Sequence, residues 1–380
     1  MVNKVTSDPV ECSVCHSRKN YVARSLGVCS DCIREKADLV SPIVQSAHQL
    51  SRSRHRLPPY PPKTPNGIRC ALCSNECSIG IGEYGYCGLR ANVEGKAKST
   101  VNTETALLYA YEDPHVTNCC GSWFCPAGTG CGYPRFSKKP GPEYGYENLA
   151  VFFYGCNFDC LFCQNSSHKN IDSANKIEKE DFRRIVEDEE RLTCICYFGG
   201  SPEPQLPFAI SASREIIESE PKRLLRVCFE WNGCGNNTLV RQAAELATQT
   251  GGNLKFDLKC FDENLSKALC GVSNRRAFEN FKMVAREFPN RGVAVPNLTA
   301  TTLLVPGYVD AREVDSIAQF IASLNAEIPY SLLVFHPDFE MRDLPVTPAE
   351  QVKSCYSAAK RHLRNVHVGN LHLLGFRGLT

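Results

Sequence analysis

The distribution of cysteine constrains this 380-residue chain more than any other feature of its sequence. The chain contains 22 cysteines, and fifteen of them lie between residues 12 and 163 in closely spaced groups. A disulfide framework is typical of small secreted domains, whereas this chain is large and its first fifteen residues lack the apolar core of a signal peptide. Clustered thiols in such a chain indicate metal binding. We interpret the seven later cysteines mainly as small buried apolar residues: Cys194, Cys196, Cys228, Cys234, Cys260, Cys270 and Cys355.

The first cysteine group consists of two CxxC pairs separated by thirteen residues: Cys12, Cys15, Cys29 and Cys32. Each pair can turn two sulfurs toward one point, so four thiolates can close a tetrahedral site. We therefore predict a zinc-ribbon-like module over residues 1–40, although a single iron would use the same ligands. Residues 41–66 become basic and then proline-rich, which predicts a linker.

A second group follows in residues 67–148, which we predict to be a Cys-rich auxiliary-cluster module. Its members are Cys70, Cys73, Cys77 and Cys87. Glycines surround the last of these cysteines and let the backbone wrap closely around an inorganic core. Four thiolates at this spacing suit either zinc or a [4Fe–4S] cluster.

The third group lies in the segment NCCGSWFCPAGTGCGYP and contains Cys119, Cys120, Cys125 and Cys131. Its ligand set is ambiguous, because Cys119 and Cys120 are adjacent and cannot both easily serve one site. Two interpretations remain open. The group completes an auxiliary cluster through Cys119, Cys125 and Cys131, or it forms a Gly/Pro-rich loop that covers the active site.

From Leu149 onward, short apolar runs alternate with amphipathic stretches, which indicates parallel strands joined by right-handed helical crossovers. The predicted strands are Leu149–Tyr154, Cys194–Phe198, Leu225–Trp231, Asn253–Lys259, Thr299–Val305 and Tyr330–Phe335. The predicted helical stretches include Asp181–Leu192, Asn237–Thr248, Glu263–Phe288, Asp310–Leu324 and Pro348–Leu363. We expect an α/β fold, a partial (β/α)6 TIM-like barrel over residues 149–380 with N-terminal Cys-rich metal-binding modules.

The segment CNFDCLFCQN follows the first predicted strand and places Cys156, Cys160 and Cys163 at the carboxyl end of the barrel, where catalytic groups gather. Three cysteines ligate three irons of a cubane and leave the fourth iron open to a substrate. We expect Phe162 to pack against the cluster and exclude solvent.

This segment resembles the CxxxCxxC signature of radical S-adenosylmethionine (SAM) enzymes, in particular the pyruvate-formate-lyase-activating-enzyme-like and AmmeMemoRadiSam-associated branch. Five further strand ends, GGSPEP, FEWNG, DLK, VPG and FHP, are similar to motifs of that family, and the likeness covers residues 68–375. The resemblance implies SAM-binding roles for Gly199, Gly200, Glu203, Glu230, Asn232, Asp257, Lys259 and His336.

The same resemblance implies a [4Fe–4S] cluster and SAM as cofactors, with reductive cleavage of SAM to a 5′-deoxyadenosyl radical that abstracts hydrogen. Reduced flavodoxin or ferredoxin would supply the electron, in an anaerobic setting. GGSPEP departs from the usual GGEP, which leaves open whether the backbone or Glu203 meets SAM.

We expect the substrate to be a protein or peptide, as for glycyl-radical activases. A radical SAM enzyme that modifies a small molecule, a nucleotide or RNA is an alternative, and a non-catalytic iron–sulfur or zinc scaffold is another. The net charge of +2 gives no general attraction to nucleic acid. No apolar run is long enough for a membrane helix, so we expect a cytoplasmic protein without a membrane partner.

Overall fold

The structure, a computed structural model, describes residues 10–117, 119–289 and 295–375. Residues 1–9, part of the segment expected to lack the apolar core of a signal peptide, lie outside these ranges. The strands of the described residues are β1 (Ile68–Arg69), β2 (Ser78–Ile79), β3 (Arg90–Val93), β4 (Lys96–Ser99), β5 (Thr105–Pro114), β6 (Glu147–Phe153), β7 (Lys176–Glu178), β8 (Leu192–Phe198), β9 (Arg226–Trp231), β10 (Leu254–Asp257), β11 (Leu298–Leu304), β12 (Tyr330–Val334) and β13 (Val366–Gly369). Nine of these strands form one sheet in the order β13-β12-β11-β10-β9-β8-β6-β5-β7.

Helices cover the outer face of this sheet, as right-handed crossovers require. Their apolar faces pack on the strands, and the same side chains supply the core, for example Phe208, Val240 and Phe281. The helices are α1 (Ser30–Glu35), α2 (Ala37–Ser53), α3 (Pro126–Thr129), α4 (Lys179–Asp188), α5 (Leu206–Ser219), α6 (Asn237–Thr250), α7 (Glu263–Cys270), α8 (Arg275–Glu287), α9 (Ala311–Leu324) and α10 (Ala349–Lys360).

The predicted α/β fold is confirmed. All six predicted strands are present as β6 and β8–β12, and they run parallel to one another in chain order. Residues of β8 to β12 line one common cavity, so the sheet curves around it as a partial barrel. The sheet also extends beyond the predicted strands, by parallel β13 at one edge and, at the other, by β5, which is antiparallel to β6, and by β7, which is antiparallel to β5.

One predicted helix is wrong in its extent. The stretch Glu263–Phe288 is divided into α7 and α8, because Gly271 adopts a left-handed backbone (φ 75°) that ends the first helix. The carbonyl groups of Leu269 and Cys270 then accept hydrogen bonds from Leu161 and Asp159. The break therefore shapes the surface on which the CxxxCxxC segment lies.

The N-terminal residues pack against the carboxyl end of the sheet. The Tyr308 hydroxyl, just beyond β11, donates to the carbonyl of Val28 and accepts from the amide of Ala23. Arg34 of α1 forms an ion pair with Glu313 of α9. None of the helices within the described ranges combines the length and apolar character needed to cross a bilayer.

Candidate active site and metal centres

A cavity of about 220 Å³ opens at the carboxyl ends of the parallel strands. Its lining contains ten of the twelve residues predicted for the catalytic cluster and SAM: Cys156, Cys160, Phe162, Cys163, Gly199, Gly200, Glu230, Asn232, Asp257 and Lys259. These residues come from four separate loops and strand ends, and the parallel sheet brings them together because its carboxyl ends share one edge.

The three-cysteine segment is held by buried charge as well as by backbone hydrogen bonds. Asp159, which lies between two of the cysteines, is completely buried and contacts Lys169 in an ion pair. Nδ1 of His48 in α2 lies 2.8 Å from Asp159 Oδ2, and Arg52 lies 3.8 Å from the other oxygen. Burial opposes ionisation of Asp159, but these cations outweigh it and hold its pKa well below the usual range.

The thiols of this segment lie in different electrostatic surroundings. Burial raises the pKa of Cys156, and it raises that of Cys163 to about 11. The pKa of Cys160 is lowered, chiefly because the thiol of Cys270 donates a hydrogen bond to it. Buried thiolates without a cation are unfavourable, so a metal that compensates their charge would stabilise the segment.

The turn after β8 approaches the cysteine segment closely. Gly200 has a positive φ (51°), and a Cβ there would lie 2.5 Å from the carbonyl oxygen of Gly155. Gly199 is similarly crowded, since its Cβ would lie 2.1 Å from the ring of Phe152. The glycines of GGSPEP therefore permit backbone to line the cavity where a side chain has no room.

Two ion pairs lie on the cavity wall. Lys259 Nζ donates to Asp257 Oδ2 at 2.7 Å, and Lys255 pairs with Glu230. Burial raises the pKa of Asp257, but the charges of Lys259 and Lys255 outweigh burial and lower it. Asn232 faces the cavity and donates to Asn157, the residue after Cys156, at 2.7 Å.

Two predicted SAM-binding residues lie outside the lining of the cavity. Glu203 is fully buried behind the GGSPEP turn, where its carboxylate accepts a hydrogen bond of 2.7 Å from the amide of Gly233. Burial raises the pKa of Glu203 to about 7. His336 follows β12, and its Nδ1 lies 3.4 Å from the carbonyl oxygen of Pro337.

Sequence analysis missed several polar residues of the cavity, among them Gln164, His168, Ser201 and Thr301. Gln164 Nε2, His168 Nδ1 and Trp231 Nε1 are buried and have no hydrogen-bond partner in the described structure. A buried polar atom without a partner is costly, so a polar ligand in this cavity would remove the penalty. The soft thiolates suit an iron–sulfur cluster, and the remaining polar lining suits a ligand such as SAM.

The first cysteine group forms a compact site. The four cysteine sulfurs of this group all lie within 4.8 Å of one another, and Cys15 Sγ lies 3.7 Å from Cys29 Sγ. Four thiolates at about 2.3 Å from one zinc lie roughly 3.8 Å apart, so this arrangement fits a single tetrahedral ion. Zinc and a single iron share this geometry, so the sulfur positions indicate a metal-binding site for either ion.

The second cysteine group lies beside the catalytic segment. A β-bridge joins Cys73 to Gly235 beyond β9, and Asn75 donates a hydrogen bond of 2.7 Å to the carbonyl of Asn157. In the described ranges, no three sulfurs of this group lie within 4.8 Å of one another, unlike those of the first group. Burial raises the pKa of Cys77 to about 11.

The third group enters the barrel. Cys119 Sγ donates to Glu230 Oε1 at 2.7 Å, and Cys120 Sγ lies 3.2 Å from Thr301 Oγ1, so both thiols reach the floor of the active-site cavity. Cys131 Sγ donates to the carbonyl of Phe124 at 3.2 Å. The loop covers the barrel from the amino ends of the strands, opposite to the active-site end that one of the two interpretations assigned to it.

Residues 150–321 match the sequence profile described as Radical SAM superfamily. The chain is 26% identical to an uncharacterized protein of Methanocaldococcus jannaschii, over 80% of this chain and 82% of that protein. It is 32% identical to the isethionate sulfite-lyase activating enzyme of Desulfovibrio desulfuricans, over 41% of this chain and 47% of the relative. The matched region thus spans about half of that activating enzyme.

Among solved structures, the chain is similar to a domain of pyruvate-formate lyase-activating enzyme from Bacteroides vulgatus. The TM-score is 0.35 and the sequence identity 18%, over 46% of this chain and 98% of that domain.

Proposed function

We propose that this chain, whose residues 150–321 match the radical SAM superfamily profile, cleaves SAM at a [4Fe–4S] cluster held by Cys156, Cys160 and Cys163 and abstracts hydrogen from a protein or peptide. The observation that carries the proposal is the joint lining of one cavity by these three cysteines and by the polar ends of β8, β9 and β10. The relationship to an activating enzyme supports the choice of a protein or peptide as the substrate.

When bound at Cys156, Cys160 and Cys163, the cluster would pass one electron from reduced flavodoxin or ferredoxin to SAM, whose sulfonium carbon–sulfur bond would break to give methionine and a 5′-deoxyadenosyl radical able to abstract a hydrogen atom from the substrate.

The chain's own residues would bind and orient SAM. The Lys259 ammonium would pair with the carboxylate of its methionine part, and Asp257 orients Lys259 through their 2.7 Å hydrogen bond. The backbone of Gly199 and Gly200 would contact the amino group, while the carboxylate of Glu203, behind that turn, accepts a hydrogen bond from the amide of Gly233. Phe158, Phe162 and Phe198 contribute apolar surface that excludes water from the radical.

The direct test is formation of 5′-deoxyadenosine by the anaerobically reconstituted, reduced protein. The wild type should form it, and Cys160→Ser should reduce it to background, because two thiolates cannot hold the open cubane. Cys355→Ser is the matched control, because Cys355 is a buried thiol that lies in α10, away from the cavity. An unchanged rate in Cys160→Ser contradicts the assignment of the cluster.

A second experiment tests the substrate class. A cell extract from deuterated medium is separated by size and offered to the enzyme with unlabelled SAM. Deuterium in 5′-deoxyadenosine should appear with the macromolecular fraction and disappear after that fraction is digested with protease. Transfer from the small-molecule fraction alone contradicts a protein substrate while leaving SAM cleavage intact.

A further inference from the structure

A second, smaller cavity of about 50 Å³ lies in the amino-terminal half of the barrel. The interior of such a barrel is ordinarily filled with branched apolar side chains. Here five thiols line the cavity: Cys119 and Cys125 from the third cysteine group, and Cys194, Cys196 and Cys228 from β8 and β9. The strand cysteines, which sequence analysis treated mainly as apolar filling, thus meet the loop cysteines at one place.

The loop that closes this cavity is firmly anchored. Glu143 and Arg226 form a buried pair with two hydrogen bonds, of 2.8 and 2.6 Å, and Thr193 donates to the same carboxylate. At the other side, Trp123 Nε1 donates to Ser331 Oγ at 3.0 Å. The structure therefore holds loop and strand thiols in a fixed relation.

Several sulfurs already accept hydrogen bonds that stabilise thiolate. Arg226 Nε donates to Cys194 Sγ at 3.1 Å, the amide of Asn253 to Cys228 Sγ at 3.4 Å, and the amide of Gly121 to Cys119 Sγ at 3.3 Å. N–H donors of this kind also surround the cysteine ligands of iron–sulfur clusters and tune their potentials.

The spacing of the thiols distinguishes this site from the N-terminal one. Among the described residues, no three ligand atoms of this cavity lie within 4.8 Å of one another, whereas the four sulfurs of the first group do. A single tetrahedral ion requires the closer arrangement. A polynuclear cluster distributes its thiolates over two or more irons, so no three of them need to lie so close together.

We infer that this cavity is the site of an iron–sulfur cluster, with ligands drawn from Cys119, Cys125, Cys194, Cys196 and Cys228. Glu230 and Lys255 line both this cavity and the larger one, so their ion pair forms the partition between the two. The cluster lies directly beneath the active site, inside the barrel. This site is separate from the site at Cys156, Cys160 and Cys163, and its ligands are the same whatever substrate the enzyme acts on.

The first test is iron and sulfide content after anaerobic reconstitution. The triple variant Cys125→Ser/Cys194→Ser/Cys228→Ser leaves two of the five thiols, too few for a cluster. It should contain at least two irons and two sulfides per chain fewer than the wild type, whereas Cys355→Ser should match the wild type. A folded triple variant with wild-type iron and sulfide overturns the inference.

The second test needs no variant and decides the matter if the triple variant does not fold. Crystals of the reconstituted wild type are measured on both sides of the iron absorption edge. An anomalous peak between Cys194 and Cys228, in addition to the peak at Cys156, Cys160 and Cys163, supports the cluster. A peak at the latter site alone, zinc in the cavity, or a disulfide between Cys194 and Cys228 overturns it.

Discussion

At the scale of single residues, the proposed function distinguishes side chains that would contact SAM from side chains that hold those positions in place. Lys259 belongs to the first kind, because it lines the cavity and its ammonium is paired only with Asp257 among the ion pairs of the described residues. Glu203 belongs to the second kind, because its carboxylate is buried behind the turn and contacts the backbone of Gly233.

Replacing Lys259 should weaken SAM binding. A charge-assisted hydrogen bond contributes about 1.5–3 kcal/mol, so Lys259→Gln should raise the dissociation constant of SAM roughly 10- to 100-fold. Anaerobic calorimetry of the reconstituted protein measures this constant. Lys267→Gln is the control, because Lys267 is half exposed on α7 and pairs only with Glu263 among the described ion pairs. Equal affinities of both variants contradict the assigned contact.

Glu203 should make stability depend on pH. Its folded pKa of about 7 lies above the ordinary 4.5, so the folded apoprotein binds a proton that the unfolded chain has lost. The stabilising contribution is complete below pH 4.5 and is lost as pH rises through 7. Glu203→Gln should be more stable than the wild type at pH 8, by up to about 3 kcal/mol. Urea unfolding at pH 5 and pH 8 measures this; parallel pH profiles contradict it.

At the scale of elements, the CxxxCxxC segment is a loop fixed by distant parts of the chain. Asp159 receives its partners from α2 and from the turn at Lys169. His48 adds a link to α7, since its Nε2 donates to the carbonyl of Ala268 at 3.1 Å. The geometry of the catalytic segment therefore depends on the N-terminal helices.

Removing this central charge should destabilise the protein. Asp159→Asn leaves Lys169 and Arg52 buried without their carboxylate, and loss of one partner from a buried pair costs about 3–5 kcal/mol. Denaturant unfolding measures the effect. Asp181→Asn, at an exposed ion pair with Arg184, should change stability by less than about 0.5 kcal/mol. Similar small effects in both variants contradict the role of Asp159.

The sequence predicted those parts of the site that local pattern controls. Strand ends in a parallel sheet share one edge, so the positions of Gly199, Asn232 and Lys259 at the ends of predicted strands were enough to expect them together. The contact between His48 and Asp159 could not be expected in this way, because 111 residues separate them and no local pattern links them. Nor could the sequence predict that Cys125 lines the same cavity as Cys194 and Cys228, because this depends on how the covering loop enters the barrel.

At the scale of the whole molecule, the cysteine groups pack directly against the barrel. The N-terminal cysteine site packs through Tyr308 against the turn after β11, on the same face as the active site. The fold of the N-terminal module should depend on its metal, because four closely spaced thiols repel one another when ionised.

Loss of this metal should therefore lower the thermal stability of the whole protein. Cys12→Ser/Cys32→Ser should lose one metal ion per chain and lower the melting temperature, since the module then unfolds from the barrel. Metal analysis and anaerobic calorimetry measure both effects. Cys260→Ser, at a buried cysteine beyond β10, should retain the ion. A double variant with full metal content contradicts the four-thiolate site.

The proposed function requires that Cys156, Cys160 and Cys163 hold a cluster with an iron open to SAM. The most direct measurement is the electron paramagnetic resonance spectrum of the reduced, reconstituted protein with and without SAM. SAM should shift the cluster signal in the wild type, and the Cys156→Ala/Cys160→Ala/Cys163→Ala variant should lack the SAM-responsive signal. A variant that keeps this signal, or a wild-type spectrum that SAM leaves unchanged, contradicts the claim.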